Sequence, residues 1–179
     1  RTTTNQFVTL QYANQSARLY GLDLSGYMPL AKSDLGQFGF KGLLNYTNGK
    51  NRDTGDDLYN IMPLNTRLTL THNLGGWDSA LELVSVKGKD AVSDVRNEVR
   101  TSGYSLTNLR TSYSWKQLRI DFGVENLFDK AYAMPLGGAY LGQGRTMSIN
   151  PPASDAMFGW GNAVPGMGRS IYMGFNLKF

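Results

Sequence analysis

Seven methionines, a single histidine and no cysteine set the metal chemistry open to this sequence. Four of the methionines, Met134, Met147, Met157 and Met167, fall within residues 133–168, a stretch rich in Gly and Pro. Thioethers are soft ligands suited to Cu(I), so a methionine-lined copper path is one chemistry this stretch could carry. The ordinary alternative is four flexible apolar side chains that pack a long loop. His72 alternates with Leu68, Leu70 and Leu74, which puts it on an apolar face beside a turn. A lone imidazole there is more often part of an interfacial belt than a ligand. Nucleophilic catalysis needs a Ser, a His and an acidic or amide partner held together, and His72 has no evident nucleophile near it in sequence. The residues thus propose no catalytic, cofactor or metal ligand set, and the expectation is a protein that is not an enzyme.

The elements that would hold such residues follow from hydropathy. Mean hydropathy is −0.34, and no run of about 18 apolar residues occurs, so no helix of this sequence can cross a membrane. Membrane strands remain open, because only every second side chain of a strand meets lipid and the average stays near that of a soluble protein. With 41% hydrophobic residues a soluble core is also affordable, and composition alone does not separate the two. The counts of 21 Gly, 10 Tyr, 8 Phe and 3 Trp lean towards a barrel, though soluble all-β proteins share them. The net charge of +4 comes from 18 basic residues scattered among 14 acidic ones, with no basic stripe, so nucleic acid is not an expected partner. The chain starts at Arg1 without the pattern of a signal peptide, which reads as a processed form or a fragment.

Alternation of period two is the main structural signal. Phe38, Phe40, Gly42, Leu44 and Tyr46 share one side, with Lys41, Asn45 and Thr47 on the other. Leu118, Ile120, Phe122 and Val124 oppose Arg119, Asp121 and Glu125, and Ile171, Met173, Phe175, Leu177 and Phe179 oppose Tyr172, Asn176 and Lys178. Tyr20, Leu22, Leu24 and Met28 oppose Asp23 and Ser25. A charge on the lipid side at mid-membrane costs about 2 to 4 kcal/mol, so four apolar sides free of charge are informative. Eight strands are expected, near 7–12, 18–28, 37–47, 66–74, 77–87, 104–115, 117–126 and 169–178. Tight turns near 73–77 and 115–117 alternate with long connections at 48–65, 88–103 and 127–168. That is the pattern of an outer-membrane barrel with its C-terminus in the periplasm. The connections at 30–36, longer than ideal for a turn, and at 14–15, short for an outer loop, fit less well.

The stretch Gly123-Val124-Glu125-Asn126-Leu127-Phe128-Asp129-Lys130-Ala131-Tyr132 resembles the G-x-x-N-L-F-D-K-x-Y motif in the penultimate strand of TonB-dependent receptors. Physically, Glu125 would face a wet lumen and Phe128 with Tyr132 an outer girdle, while Asn126 and Asp129 bond to backbone where the strand leaves the membrane. Gly21 and Asp23 are similar to the G-x-E/D strand of that family, and Met62-Pro63-Leu64-Asn65 to its I-P-P-x-R segment. Phe179, after alternating apolar residues, resembles the terminal signature read by the barrel assembly machinery; an interfacial belt would account for the same residues. Met134-Pro135-Leu136-Gly137-Gly138-Ala139-Tyr140 and Gly142-Gln143-Gly144-Arg145-Thr146-Met147 resemble the copper-receptor branch.

The resemblance implies an all-β fold in which residues 1–179 form the C-terminal part of an antiparallel transmembrane barrel of about 22 strands. It further implies a plug domain not contained in this sequence, the TonB energy-coupling protein, and contact with lipid and lipopolysaccharide. Copper is the favoured cargo, with a ferric siderophore, haem or cobalamin as alternatives. Lys41, Asp121 and Glu125 would then border water or the plug. From another class, eight strands could close on themselves as an anchor or adhesin.

Overall fold

Period-two alternation makes strands here, and turn chemistry delimits them. The structure, a computed structural model, describes residues 2–4, 7–9, 14–94, 98–136 and 163–178. Met147, Met157 and Phe179 lie outside them. Two short strands, β1 (Thr2–Thr4) and β2 (Phe7–Thr9), pair with each other. Seven further strands form one antiparallel sheet in chain order: β3 (Ala17–Ser33), β4 (Gly36–Asn51), β5 (Asn65–Leu74), β6 (Trp77–Val86), β7 (Tyr104–Trp115), β8 (Leu118–Glu125) and β9 (Ser170–Leu177).

Two expectations change. Of the segment expected as a first wall strand at 7–12, Phe7–Thr9 pairs with β1 and residues 10–12 lie outside the described residues, so among the described residues the main sheet has seven strands. A partner two residues away closes a smaller loop than a partner in β3 would. The connection at 30–36 is also shorter than its sequence suggests. β3 continues to Ser33 through a bulge between Pro29 and Ala31, leaving a two-residue turn before Gly36. Pro29 lacks an amide proton, and a bulge is where a sheet accepts that loss.

All three tight turns lie at one end: residues 34–35, 75–76 and 116–117. Gly36 at φ 114°, Gly75 at 59° and Lys116 at 51° supply the left-handed backbone such turns need. Residues 52–64, 87–103 and 126–169 connect strands at the other end. β5, β6 and β7 have 10, 10 and 12 residues, the length a tilted membrane strand requires, while β3 and β4 with 17 and 16 run on past it.

The register sorts side chains into two faces. Leu22, Leu24 and Met28 sit across from Tyr46, Leu44 and Phe40. The row continues through Leu70, Leu81, Leu109 and Val124 to Ile171. From the level of Tyr46 to the tight turns this face carries no Asp, Glu, Lys or Arg. It is also bare: Leu24 is 63% exposed and Phe175 67%. Among the described residues the buried apolar side chains are Val86, Val92 and Val124. A soluble sandwich would bury this face against a second sheet, and a water-facing apolar surface of such extent is not sustained by a soluble monomer. The face is therefore built for lipid.

Aromatic residues mark both borders. At the tight-turn end Trp77 and Tyr113 are 4.8 Å apart between ring centres and Phe38 lies 4.6 Å from His72; at the other, Tyr20 and Tyr46 meet at 6.4 Å. Placing Lys at Leu70, in the middle of the apolar face, is expected to destabilise the complete receptor in a bilayer by about 2 to 4 kcal/mol. Lys at the neighbouring Thr69, across from Glu82 on the polar face, is expected to cost less than about 1 kcal/mol. Reversible unfolding in lipid vesicles measures both, and equal costs would contradict the assignment of faces.

Candidate functional site: the polar wall and its loops

Parity puts Lys41, Arg67, Thr69, Glu82, Asn108, Arg110, Asp121 and Glu125 on the face opposite the lipid side. Glu82 is the centre of this wall. Its side chain is 8% exposed, and it accepts a hydrogen bond from Asn108 Nδ2 at 2.9 Å. Arg110 Nη2 stands 3.4 Å from one carboxylate oxygen and Arg67 Nε 3.6 Å from the other. Both arginines are about half exposed, so the cluster presents two cations around a sheltered anion. Nearby, Asp121 accepts from Arg119 Nε at 2.9 Å and Asn176 Nδ2 at 3.1 Å, and Asn45 Nδ2 donates to Asp23.

Asn108 also ties this cluster to the motif turn. Its Oδ1 accepts the backbone N–H of Asn126 at 2.9 Å. Asn126, 3% exposed and at φ 51°, then bonds three ways with its side chain. Oδ1 accepts from Lys130 N at 2.8 Å, and Nδ2 donates to the carbonyls of Lys130 at 2.9 Å and Met167 at 3.1 Å. Asparagine suits this place because it tolerates left-handed backbone and carries both a donor and an acceptor. Asp129, also left-handed at φ 53°, donates its N–H to Asn126 O and accepts from Arg169 N at 2.8 Å. The sequence expectation for Asn126 and Asp129 thus takes concrete form, with both stems of the last loop pinned to β7.

Tyr132 departs from its expected place on the outer girdle. Its ring lies 4.4 Å from that of Tyr104, which belongs by register to the polar face with Leu106 and Asn108, and it covers Gly166, where a Cβ would collide with the ring. Hydrogen bonds from Gly166 N to Tyr132 O and from Met134 N to Val164 O hold the two stems together there. Phe128 is 75% exposed, beside Thr66, Ser85 and Ser105 of the outward face, as the sequence suggests.

The two other long loops form one unit. Lys89, with a side chain 1% exposed, donates Nζ to Glu98 Oε1 at 2.5 Å. The same oxygen accepts Asn60 N at 2.8 Å, and Oε2 accepts Ser93 N at 2.9 Å. Asp56 accepts from Ser93 Oγ and Asp94 N, which closes the seam from the other loop. A cavity of about 240 Å³ lies at this junction, bordered by Leu58, Met62, Lys87 and Asp90.

Of the candidate metal residues, Met147 and Met157 lie outside the described residues, and His72 stands at the opposite end of the sheet from Met134 and Met167. His72 Nε2 is 2.8 Å from the carbonyl oxygen of Leu35, so it serves the tight-turn end as a hydrogen-bonded belt residue. Met134 and Met167 stand on the two stems of the last loop, 45% and 67% exposed. Among the described residues no three His, Asp or Glu side chains form a ligand cluster. Reading parity alone missed the Glu82 cluster; pairing β5, β6 and β7 in register brings its members together. The Lys89–Glu98 seam has no periodic signal at all.

Comparison with known proteins decides the family. Residues 1–127 match the model described as "TonB dependent receptor-like, beta-barrel". The chain belongs to the TonB-dependent receptors. Curated relatives include the Heme/hemopexin utilization protein C of Haemophilus influenzae, 32% identical over 150 residues, covering 78% of this chain and 20% of the relative. The same protein from a second strain is 31% identical over 160 residues. The chain thus spans about a fifth of the length of the curated relatives it matches. Among solved structures, the copper transporter OprC superposes with a TM-score of 0.74 at 23% identity, covering 93% of this chain and 24% of OprC. The ferric yersiniabactin uptake receptor FyuA of Yersinia pestis does so at 0.66 and 16%, covering 91% and 24%. Both likenesses are of fold. The seven strands are accordingly a portion of a receptor barrel wall, a structure of the outer membrane.

Asn126→Ala is expected to destabilise the receptor by about 3 kcal/mol, because three buried bonds and a left-handed backbone lose their asparagine. Lys130→Ala should change stability by less than about 0.5 kcal/mol, since Lys130 takes part through backbone atoms. Denaturant titration compares them. Lys89→Met leaves Glu98 buried without its cation and should loosen both loops by about 3 to 5 kcal/mol, whereas Lys89→Met with Glu98→Met should cost less. Hydrogen exchange at 52–64 and 87–103 reads the difference.

Proposed function

We propose that residues 1–179 form the C-terminal part of a receptor for TonB-dependent uptake of a scarce metal or metal complex. A plug domain elsewhere in the receptor then faces the polar wall. The observation that carries this is the two-faced sheet: an uncharged lipid side backed by an ordered, charged interior side, in a chain of this family. With the long loops outside the cell, the tight turns and the C-terminus face the periplasm, the usual arrangement of outer-membrane barrels. Loops capture the ligand, the plug gates its passage, and the periplasmic TonB protein supplies energy.

The alternative of a small closed barrel loses support from the strand count. Among the described residues the seven antiparallel strands of the sheet leave β3 and β9 running in the same direction, so closing these two on each other would need a parallel seam. Single-chain bacterial barrels have an even number of antiparallel strands. Further strands of the same receptor fit between these edges without that conflict.

Copper is the cargo we favour. Met134 and Met167 offer thioethers at the mouth of the last loop, and thioethers select Cu(I). Haem is the second reading, favoured by the 32% identity to the Heme/hemopexin utilization protein. A strain lacking the receptor, grown with limiting copper, is expected to hold several-fold less copper, and receptor with Met134→Leu and Met167→Leu should restore it only in part. Unchanged copper together with lost growth on haem would replace the first reading by the second.

A further inference from the structure

The interior face is not polar throughout. One step from Glu82 and Asn108 towards the long loops, the register aligns Leu43, Arg67, Val84 and Leu106 on that face. Three of these four are aliphatic, and Leu43 is 43% exposed on a side that borders water. One step further, Tyr104 follows Leu106 on the same face, its ring 4.4 Å from that of Tyr132. Large apolar side chains left open on a wet surface mark a place of contact. The interior thus carries an apolar and aromatic area directly under the loops and a charged area directly below it.

The charged area is short of anions. Arg67 Nε and Arg110 Nη2 converge on different oxygens of Glu82, but at 3.6 and 3.4 Å, longer than the roughly 2.8 Å of a full charge-assisted bond. Each guanidinium keeps further N–H donors without a partner among the described residues. Lys41, across from Thr69 in the same row as Glu82, forms no ion pair among the described residues, and neither does Glu125. Lys41, Arg67 and Arg110 therefore outnumber the carboxylates beside them.

We infer that this part of the wall holds a flat, largely apolar molecule bearing carboxylates, of the porphyrin kind, and recognises it by those carboxylates and not by a metal. Its body lies across Val84 and Leu106 with one edge against Tyr104, and its carboxylates reach Arg67 and Arg110. Four residues of β6 run from Glu82 to Val86, about 13 Å, and three neighbouring strands add about 10 Å of width, room for several fused rings. A guanidinium offers a carboxylate two parallel bonds, which suits Arg67 and Arg110 to this task better than an ammonium. The one histidine of the sequence, His72, stands at the tight-turn end and bonds to Leu35 O, so this area offers a bound metal no imidazole. The inference rests on the haem reading of the cargo for the molecule carried in the cell. Binding of a metal-free porphyrin does not depend on that reading, so the site and the cargo can fail separately.

The test titrates the complete receptor in nanodiscs with metal-free protoporphyrin IX and with its dimethyl ester, using empty nanodiscs as the blank and porphyrin fluorescence as the signal. The free acid is expected to bind at least about tenfold more tightly than the ester, and citrate, which has carboxylates but no apolar body, not to displace it. Arg67→Gln, Glu82→Gln and Arg110→Gln together, which strand no buried charge, should bring the acid down to the affinity of the ester while ester binding and heat-modifiable folding stay unchanged. Val84→Thr with Leu106→Asn, which keep size but wet the surface, should weaken both porphyrins several-fold. Equal affinity for acid and ester, or wild-type binding of the acid in the triple variant, overturns the proposal, and so does full displacement by citrate, the mark of a plain anion site. Growth with haem as the iron source separates site from cargo. Growth lost in a deletion strain but fully restored by the triple variant keeps haem as cargo and rejects the site, whereas unaffected growth of the deletion strain with arginine-dependent porphyrin binding keeps the site and rejects haem as cargo.

Discussion

Inside hydrocarbon every backbone N–H and C=O must find a protein partner, because water is absent and each unpaired group costs several kcal/mol. This constraint explains more of the chain than any side chain does. It makes neighbours in sequence neighbours in space, since a hairpin is the shortest route to pairing a new strand. It forces an antiparallel ladder without a crossover among β3 to β9. It also leaves the outer edges of β3 and β9 as the positions where pairing must be completed by strands beyond these seven, which is how a wall segment differs from a domain.

Once the backbone is paired, side chains are free to differ by face. On the lipid side the requirement is only the absence of charge, and Leu, Phe, Gly and Met meet it interchangeably. On the polar side the requirements are specific. Glu82 is sheltered from solvent and would be costly without compensation, yet Arg67, Arg110 and Asn108 all reach it. Lys89 and Glu98 repeat the arrangement above the membrane border with deeper burial, where backbone amides of Asn60 and Ser93 complete the carboxylate. The two long loops they join share one hydrogen-bonded seam, and the described stems of the last loop are held by Asn126 and Asp129.

How much of this was legible in the sequence depends on whether the interaction is set by parity or by register. Parity is written in alternation, so the faces of Phe38 to Tyr46, Leu118 to Val124 and Ile171 to Leu177 could be read directly. Where alternation is broken the reading falters: the bulge after Pro29 reverses the parity of Ala31, and the rest of β3 looked like a turn. Phe7–Thr9 carried enough apolar pattern to pass for a wall strand, and nothing local distinguishes a partner in β1 from one in β3. Cross-strand clusters such as Glu82 with Arg67 and Arg110 need three strands in register at once, which no single segment encodes. Tyr132 was misplaced for a related reason, because its position follows from the pairing of two loop stems 30 residues apart and not from its own strand.

The motif at Asn126 gains a physical meaning from these contacts. A hydrogen-bonded path runs from the Met167 carbonyl through Asn126 and Asn108 to Glu82, and from there to two arginines on the interior wall. Each link uses an amide or carboxylate in a position that tolerates little else: Asn126 must be left-handed and bifunctional, and Asn108 must accept from a backbone amide while donating to a buried carboxylate. Such a path fixes where the last loop springs from the wall without touching what that loop carries. Shared architecture and different names can therefore coexist, since a copper transporter and a ferric yersiniabactin uptake receptor both share the fold of this wall. A motif of this kind identifies the family and, for the same reason, is silent about the ligand.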